Sequence, residues 1–347
     1  MVGSYSEAAR QYGSQQKAAA ALGIPRTTFR RKYHAECKRE ARLDAHPARR
    51  GLARAMDESF MFADTHNGLP DAFMGIFGAR RAEKIACTHN KKRILCVSDL
   101  HCGHRVGLTP PGWWRGEEEP LQREMWTWFE RTVKEQGPFD ACFDLGDNID
   151  GAGSRSGGVE LITRDLLEQV EMATQCLRVI PTEQFVMVYG TPYHVSLEGT
   201  DMERQIAENL GGAIISGHEW VDVNGCVFDL KHKCGSSSTP QGRHTAVARA
   251  RVWNDLWALR NMAPRADVFL RGHVHYHQDC GGVRNNRPWR AMTLPALQGP
   301  GSKYGVRECE GEVHFGLVVF EVDENGAFTW QVHEFQTQEG TPVARVL

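Results

Sequence analysis

The sequence predicts an α/β body preceded by a small all-α head. Three observations carry this. From Lys92 onward, short apolar runs alternate with helical stretches, the pattern of strands buried between helices. Residues 4–45 are rich in Ala, Arg, Gln and Lys with few breakers, which favours helices alone. The charge divides in nearly the same place. Residues 1–54 hold 12 Lys+Arg against 4 Asp+Glu, and the remainder 29 against 39, so a head of +8 precedes a body of −10.

Composition excludes several classes. Of 347 residues, 41% are hydrophobic and 24% charged, which rules out wholesale disorder and collagen-like repeats. No run approaches the ~18 apolar residues that span a bilayer, so no membrane partner is expected. The opening stretch MVGSYSEAARQYGSQQ lacks an apolar signal core, and ten cysteines lie scattered without a CxxC pair. Both features predict reduced thiols and a cytoplasmic location.

The head, residues 1–45, centres on QQKAAAALGIPRTTFRRKYH, Gln15 to His34. Ala19 lies four residues before Gly23, which separates two helical patterns. Leu22, Ile24 and Phe29 supply a seam between them. A tight turn between helices needs a small residue at the contact and a Gly where φ turns positive. Pro25 suits the start of the second helix, where its missing N–H costs nothing. That helix carries Arg26, Thr27, Thr28, Arg30, Arg31 and Lys32, donors for base edges and phosphates. The stretch resembles the helix-turn-helix modules of bacterial and phage DNA-binding proteins, which implies DNA as a partner. The bland alternative is a solvated basic helix. Residues 46–91, punctuated by His46-Pro47, Asn67-Gly68 and Leu69-Pro70, read as a linker with some order of its own.

The body, residues 92–347, has strand-like runs at Arg93–Ser98, Ala141–Leu145, Phe185–Tyr189, Cys226–Lys231, Asp267–Arg271 and Gly316–Val322. Helical patterns cover Pro120–Glu135, Val159–Val179, Asp201–Leu210 and Arg243–Asn261. Five of the runs are followed by candidate ligands: Asp99 and His101, then Asp147 and Asp150, then Thr191 and His194, then His232, then His273 and His275. In α/β sheets the crevice beyond the carboxyl ends of strands binds ligands. Alternate spacing would put Asp99 with His101, and His273 with His275, on one face of an extended segment. Imidazole and carboxylate together suit Mn, Fe, Zn or Ni, and even six of these groups exceed the needs of one metal. Any one of these histidines alone would read as a hydrogen-bonded core or surface residue.

The ordered set DLH, GDNID, YGTPYH, His232 and GHVH resembles the calcineurin-like metallophosphoesterase superfamily over roughly residues 92–335. The resemblance implies two mixed β-sheets in a sandwich flanked by helices, with two divalent metals, Mn foremost and Fe, Zn, Ni or Mg as alternatives. By position, Asp99, His101 and His275 would hold one metal, His232 and His273 the other, and Asp147 would bridge them. The family's Asn ligand is Thr191 here, and its histidine is displaced to His194 by Pro192 and Tyr193. Thr191 or His194 would complete the second site. Asp150 and His194 would form the acid dyad that protonates the leaving group, while hydroxide activated by the metals attacks phosphorus.

Arg243, with Arg249 and Arg251, could contact substrate phosphate, against the alternative of a solvated helix face. Trp113 and Trp114 read either as a base-stacking loop or as a brace packed on the core. The first functional expectation is a phosphodiesterase acting on DNA, a nuclease or nickase; such a head on such a body looks like phage or prophage proteins, and hence like a bacterial or phage-infected cell. The second is a small-molecule phosphomonoesterase or cyclic-nucleotide phosphodiesterase, with the head as a dimerisation or regulatory module in a homo-oligomer. The third is a non-catalytic DNA-binding protein with a decayed site.

Overall fold

The computed structural model describes residues 15–25, 28, 29, 33, 83–84, 91–114, 120–153, 157–197, 200–237, 239–304 and 312–336. The chain divides into two compact units, Met1–Phe73 and Met74–Leu347.

In the first unit, α1 (Gln15–Ala21) ends at Gly23, whose φ of 64° takes the left-handed turn that the sequence predicts. The N–H of Ile24 closes it by donating to the Ala19 carbonyl at 2.9 Å. Ala18, Ala19 and Phe29 are buried together, with Leu22, Ile24 and Tyr33 packed on them. Thr28 is helical and half-buried. Arg26, Thr27, Arg30, Arg31 and Lys32 lie outside the described residues.

In the second unit the elements run β1 (Glu83–Lys84), β2 (Lys92–Val97), α2 (Pro120–Gln136), β3 (Ala141–Asp144), α3 (Leu166–Arg178), β4 (Phe185–Val188) and α4 (Pro192–Val195). There follow β5 (Ser196–Leu197), β6 (Thr200–Asp201), α5 (Met202–Asn209), β7 (Ile214–Ser216), β8 (Glu219–Val223), β9 (Cys226–Leu230) and α6 (Pro240–Leu259). The last are β10 (Val268–Arg271), β11 (Gln278–Arg284), β12 (Arg287–Thr293), β13 (Phe315–Val322) and β14 (Phe328–Phe335).

Alternation along the strands decides how these elements layer. In β2, Ile94 and Cys96 face one way and Leu95 and Val97 the other, all fully buried. A strand buried on both faces must lie between two layers. Ile94, Phe143 and Val188 meet Val221, Phe228 and Leu270 in the core between two sheets. Leu95, Cys142 and Met187 meet Met125, Phe129 and Val133 of α2 and Leu177 of α3 on the outer side. Across the second sheet, Phe269 and Ala291 pack with Val247 of α6. Each fully buried Val, Leu, Ile, Phe or Met among them contributes about 1.5–3 kcal/mol.

The described residues therefore form two six-stranded sheets face to face, flanked by helices. One runs β14-β13-β2-β3-β4-β7 and the other β1-β8-β9-β10-β12-β11. Both are mixed: β2, β3, β4 and β7 are parallel, as are β9, β10 and β12, while β13 and β11 run antiparallel to their neighbours.

Differences from the sequence reading have local causes. The helix expected from Val159 starts only at Leu166. Gly157 and Gly158 both take φ of 69°, and the Asp165 carboxylate caps the helix by accepting from the Leu167 N–H at 2.9 Å. Inside the stretch expected to be a linker, Glu83 and Lys84 pair in parallel with Val221 and Asp222. Among the described residues, no helix is long and apolar enough to cross a membrane.

Candidate metal centre

The parallel neighbours β2, β3 and β4 end on the same side, and so do β9 and β10 in the facing sheet. The loops beyond those ends carry every candidate ligand. Their backbone is not the extended segment that the spacing suggested. Asp99, His101, Asp147, His273 and His275 all have left-handed φ, between 46° and 77°. The other non-glycine residues of positive φ among those described are all asparagines, the type that tolerates it best. Left-handed Asp and His are costly, and such strain gathers at functional sites.

The turns bring the side chains into three overlapping groups: Asp99, His101 and His275; His101, Asp147 and His194; and Asp147, His232 and His273. In the first, His101 Nε2 lies 3.2 Å from His275 Nε2, which is 3.3 Å from Asp99 Oδ1. In the last, Asp147 Oδ2 is 3.0 Å from His232 Nε2. Thr191 Oγ1 sits among them, 3.1 Å from Asp147 Oδ2 and 3.2 Å from both His232 Nε2 and His273 Nδ1. Asp147 Oδ2 also lies 4.0 Å from His101 Nε2, so this carboxylate faces both ends of the cluster.

These donors fit divalent cations. Two imidazole nitrogens and a carboxylate oxygen converge at one end. Two imidazole nitrogens, a carboxylate oxygen and a hydroxyl converge at the other, the donor chemistry of first-row metals. The Nδ1 of His275 is buried without a hydrogen-bond partner, while its Nε2 faces the cluster.

A second layer of contacts orients these side chains, the kind of support metal sites require. His232 Nδ1 contacts the Leu145 carbonyl at 2.6 Å, and His101 Nδ1 contacts Asp150 Oδ1 at 3.0 Å. Asp99 accepts from the Ser98 hydroxyl at 2.5 Å and from the His273 N–H at 3.0 Å. Glu203, on α5 and fully buried, accepts from the Asn148 N–H at 3.1 Å and the Gly190 N–H at 2.8 Å. It thereby ties the loop after β3 to the loop after β4.

Electrostatics follow the packing. Burial raises the carboxyls of Asp99 and Asp147, but the neighbouring histidines outweigh it and hold both well below the usual range. Burial lowers His232, yet Asp147 carries it up to about 10. Burial and the charge of His232 take His273 down to about 4. Burial, with Asp147 nearby, pushes Glu203 up to about 8.

Two sequence readings change. In place of the expected carboxylate–imidazole dyad, His194 Nδ1 meets the backbone carbonyl of Asp150 at 2.5 Å, while the Asp150 carboxylate serves His101. The displaced histidine enters the site on a different turn, α4, and burial lowers its pKa. Arg243 does not line the cavity at the site. It is buried, lies over the Tyr276 ring at 4.0 Å and pairs with Glu312. Trp113 and Trp114 pack on the core, and the Trp114 Nε1–H donates to the Thr109 carbonyl at 3.0 Å, so they brace the loop.

The ligands open into a cavity of about 460 Å³ lined by Tyr193, Lys233, Ser236, Lys303 and Tyr304. The sequence reading missed both lysines and Glu203. Lys233 adjoins His232 and was legible by position, whereas Lys303 and Glu203 lie outside every strand-end motif.

No protein-family model matches the sequence, and neither does any curated protein. Among solved structures, the chain is similar to a Thermotoga maritima protein determined in solution, at 17% identity over 70% of this chain and 99% of that one, with a TM-score of 0.31. It is similar to an archaeal phosphodiesterase at 14% identity, over 70% and 99% of the two chains, with a TM-score of 0.34. The sulfate thiohydrolase of Thermus thermophilus matches at 12% identity over 72% and 57%, also with a TM-score of 0.34.

Proposed function

We propose that this protein is a metal-dependent phosphodiesterase that acts on DNA. The observation that carries the reading is the overlap of the three Asp/His groups at Asp147 and His101. Asp99, His101 and His275 would hold one divalent ion, and His232, His273 and Thr191 the other, with Asp147 shared. Mn is the first choice on the family resemblance, with Fe, Zn, Ni and Mg as alternatives; the imidazole donors by themselves suit Fe, Zn and Ni equally. Two such ions, if bound there, would supply charge neutralisation for the phosphate and a nucleophilic water at neutral pH.

The chain's own groups do the rest. Asp150 holds the His101 ring, the Thr191 N–H holds Asp147 Oδ1 while Glu203 ties their two loops, and His194, set by the Asp150 carbonyl, would give the leaving oxygen a proton. Lys233 and Lys303 supply positive charge to a substrate phosphate at the cavity wall. The basic head, read as a DNA-binding helix pair, favours DNA over a small ester. A decayed site is the poorer reading, because the Thr191 hydroxyl stands within 3.2 Å of Asp147, His232 and His273 and completes the donor set.

The test is hydrolysis of bis-p-nitrophenyl phosphate and of DNA with Mn²⁺, beside an Asp147→Asn control. Turnover of both by the wild type alone supports the reading. Turnover of the small ester only selects a small-molecule phosphoesterase, and turnover of neither selects a non-catalytic protein.

A further inference from the structure

The donors lie at the floor of the cavity, not on its rim. Asp99, His101, Asp147, His232 and His275 are at most 3% exposed, whereas Thr191 and His273 are half-buried and face the opening. Above them the wall carries two tyrosines and two lysines. Tyr193 packs on His194 with ring centroids 4.1 Å apart. Tyr304 lies 5.0 Å from the His275 ring and donates its hydroxyl to the His273 carbonyl at 2.9 Å. Lys233 and Lys303 are exposed along the same wall.

A space of about 460 Å³ falls in the range of about 300–1,000 Å³ that takes a compact organic ligand. It admits a nucleotide or two. A duplex, stacked and stiff over about 150 base pairs, would have to extrude its strand to reach the floor. A single strand bends freely, stacks its bases on aromatic rings, and offers a phosphate on each side of the one being cut.

We propose that the substrate of this site is single-stranded DNA, threaded with the scissile phosphate at the donor cluster and a flanking phosphate on Lys233 and Lys303. This rests on the phosphodiesterase reading above. The lysines act as specificity residues: they grip a group that a minimal diester lacks. Tyr193 and Tyr304 furnish the platform for the adjoining base.

The test compares one 5′-labelled oligonucleotide, single-stranded and annealed to its complement, with bis-p-nitrophenyl phosphate, all with Mn²⁺. The single strand should be cut at least tenfold faster than the duplex. In a Lys233→Ala/Lys303→Ala variant, KM for the single strand should rise about tenfold with kcat changed less. Its kcat/KM on the strand should fall at least fivefold more than on bis-p-nitrophenyl phosphate. A Lys233→Arg/Lys303→Arg variant, which keeps the charge, should restore most of the loss, and matched thermal unfolding curves would exclude misfolding as the cause. Equal or faster cutting of the duplex overturns the proposal, and so does an equal loss on both substrates. Hydrolysis of the small diester without cleavage of any oligonucleotide overturns it while leaving a phosphoesterase in place. Failure on all three substrates overturns both readings.

Discussion

Gly190 shows how little room the centre leaves. A Cβ there would stand 2.1 Å from Asp147 Oδ1 and 2.3 Å from the Asp147 nitrogen. Gly190→Ala should therefore displace the shared carboxylate and cost at least tenfold in metal affinity, measured by calorimetric titration, with the far-ultraviolet circular dichroism unchanged. Asp150 acts one step further out. Losing the carboxylate that orients His101 should cost about 10–100-fold in metal affinity in Asp150→Asn; an unchanged titration would show that the His101 ring needs no such support. Away from the site, Asp229 is fully buried and meets Arg271 at 2.7 Å, His218 at 3.0 Å and the Trp220 indole N–H at 3.2 Å. Burial raises its carboxyl, but Arg271 and His218 outweigh that and lower it to about 2. A carboxyl lower in the folded than in the unfolded chain stabilises above its unfolded pKa of about 3.9. That contribution is lost as pH falls through about 2. Asp229→Asn, which leaves Arg271 without its charge partner, should lower stability by about 3–5 kcal/mol at pH 7, and by less near pH 2, in urea titrations.

The helix α5 matters through one residue. Glu203 accepts from backbone N–H groups on two ligand loops, and Glu203→Ala would leave both donors without that acceptor. A loss of about 1–3 kcal/mol should follow, with weaker metal binding, because the loops after β3 and β4 would no longer be tied. Stability loss with full metal affinity would confine Glu203 to the fold. Such elements divide sharply in how far the sequence revealed them. The runs that became β2, β3, β4, β9 and β10 were legible because burial on both faces writes a continuous apolar signal and the ligands follow at once. The hairpin of β11 and β12 was not, since QDCGGVR has no buried residue, RPWRAMT is buried only over its last three, and both carry glycines, arginines or a proline in place of an apolar run. Its turn, Asn285-Asn286 with φ of 50° and 61°, was the one available signal. The extended reading of Asp99-x-His101 failed because residue spacing does not report the sign of φ. Arg243 was misjudged because its partner, Glu312, lies 69 positions away, beyond any periodicity.

On the scale of the whole molecule, charge separates the two ends of the chain. Residues 1–45 hold 9 Lys+Arg against 4 Asp+Glu, a net of +5, which leaves −7 on the rest of a chain of −2. Deleting residues 1–45 should abolish most duplex binding while hydrolysis of bis-p-nitrophenyl phosphate continues. The intact protein should bind with a log–log salt slope near −0.9 per phosphate contact, measured by fluorescence anisotropy. Equal affinity with and without the head would move DNA recognition onto the body. The body has its own long-range dependence, seen in how its first full strand is paired. Cys96 of β2 lies opposite Val318 of β13, 222 positions later. During synthesis β2 emerges 222 residues before this neighbour. Until then Ile94 and Cys96 lack part of their cover, and an apolar strand edge stands open to any other chain. Pairings so distant in sequence close slowly, since the whole intervening loop must be ordered first. The protein should therefore refold slowly and in a concentration-dependent competition with aggregation. A chain ending before β13 should be recovered insoluble, even though it contains every donor of the metal centre.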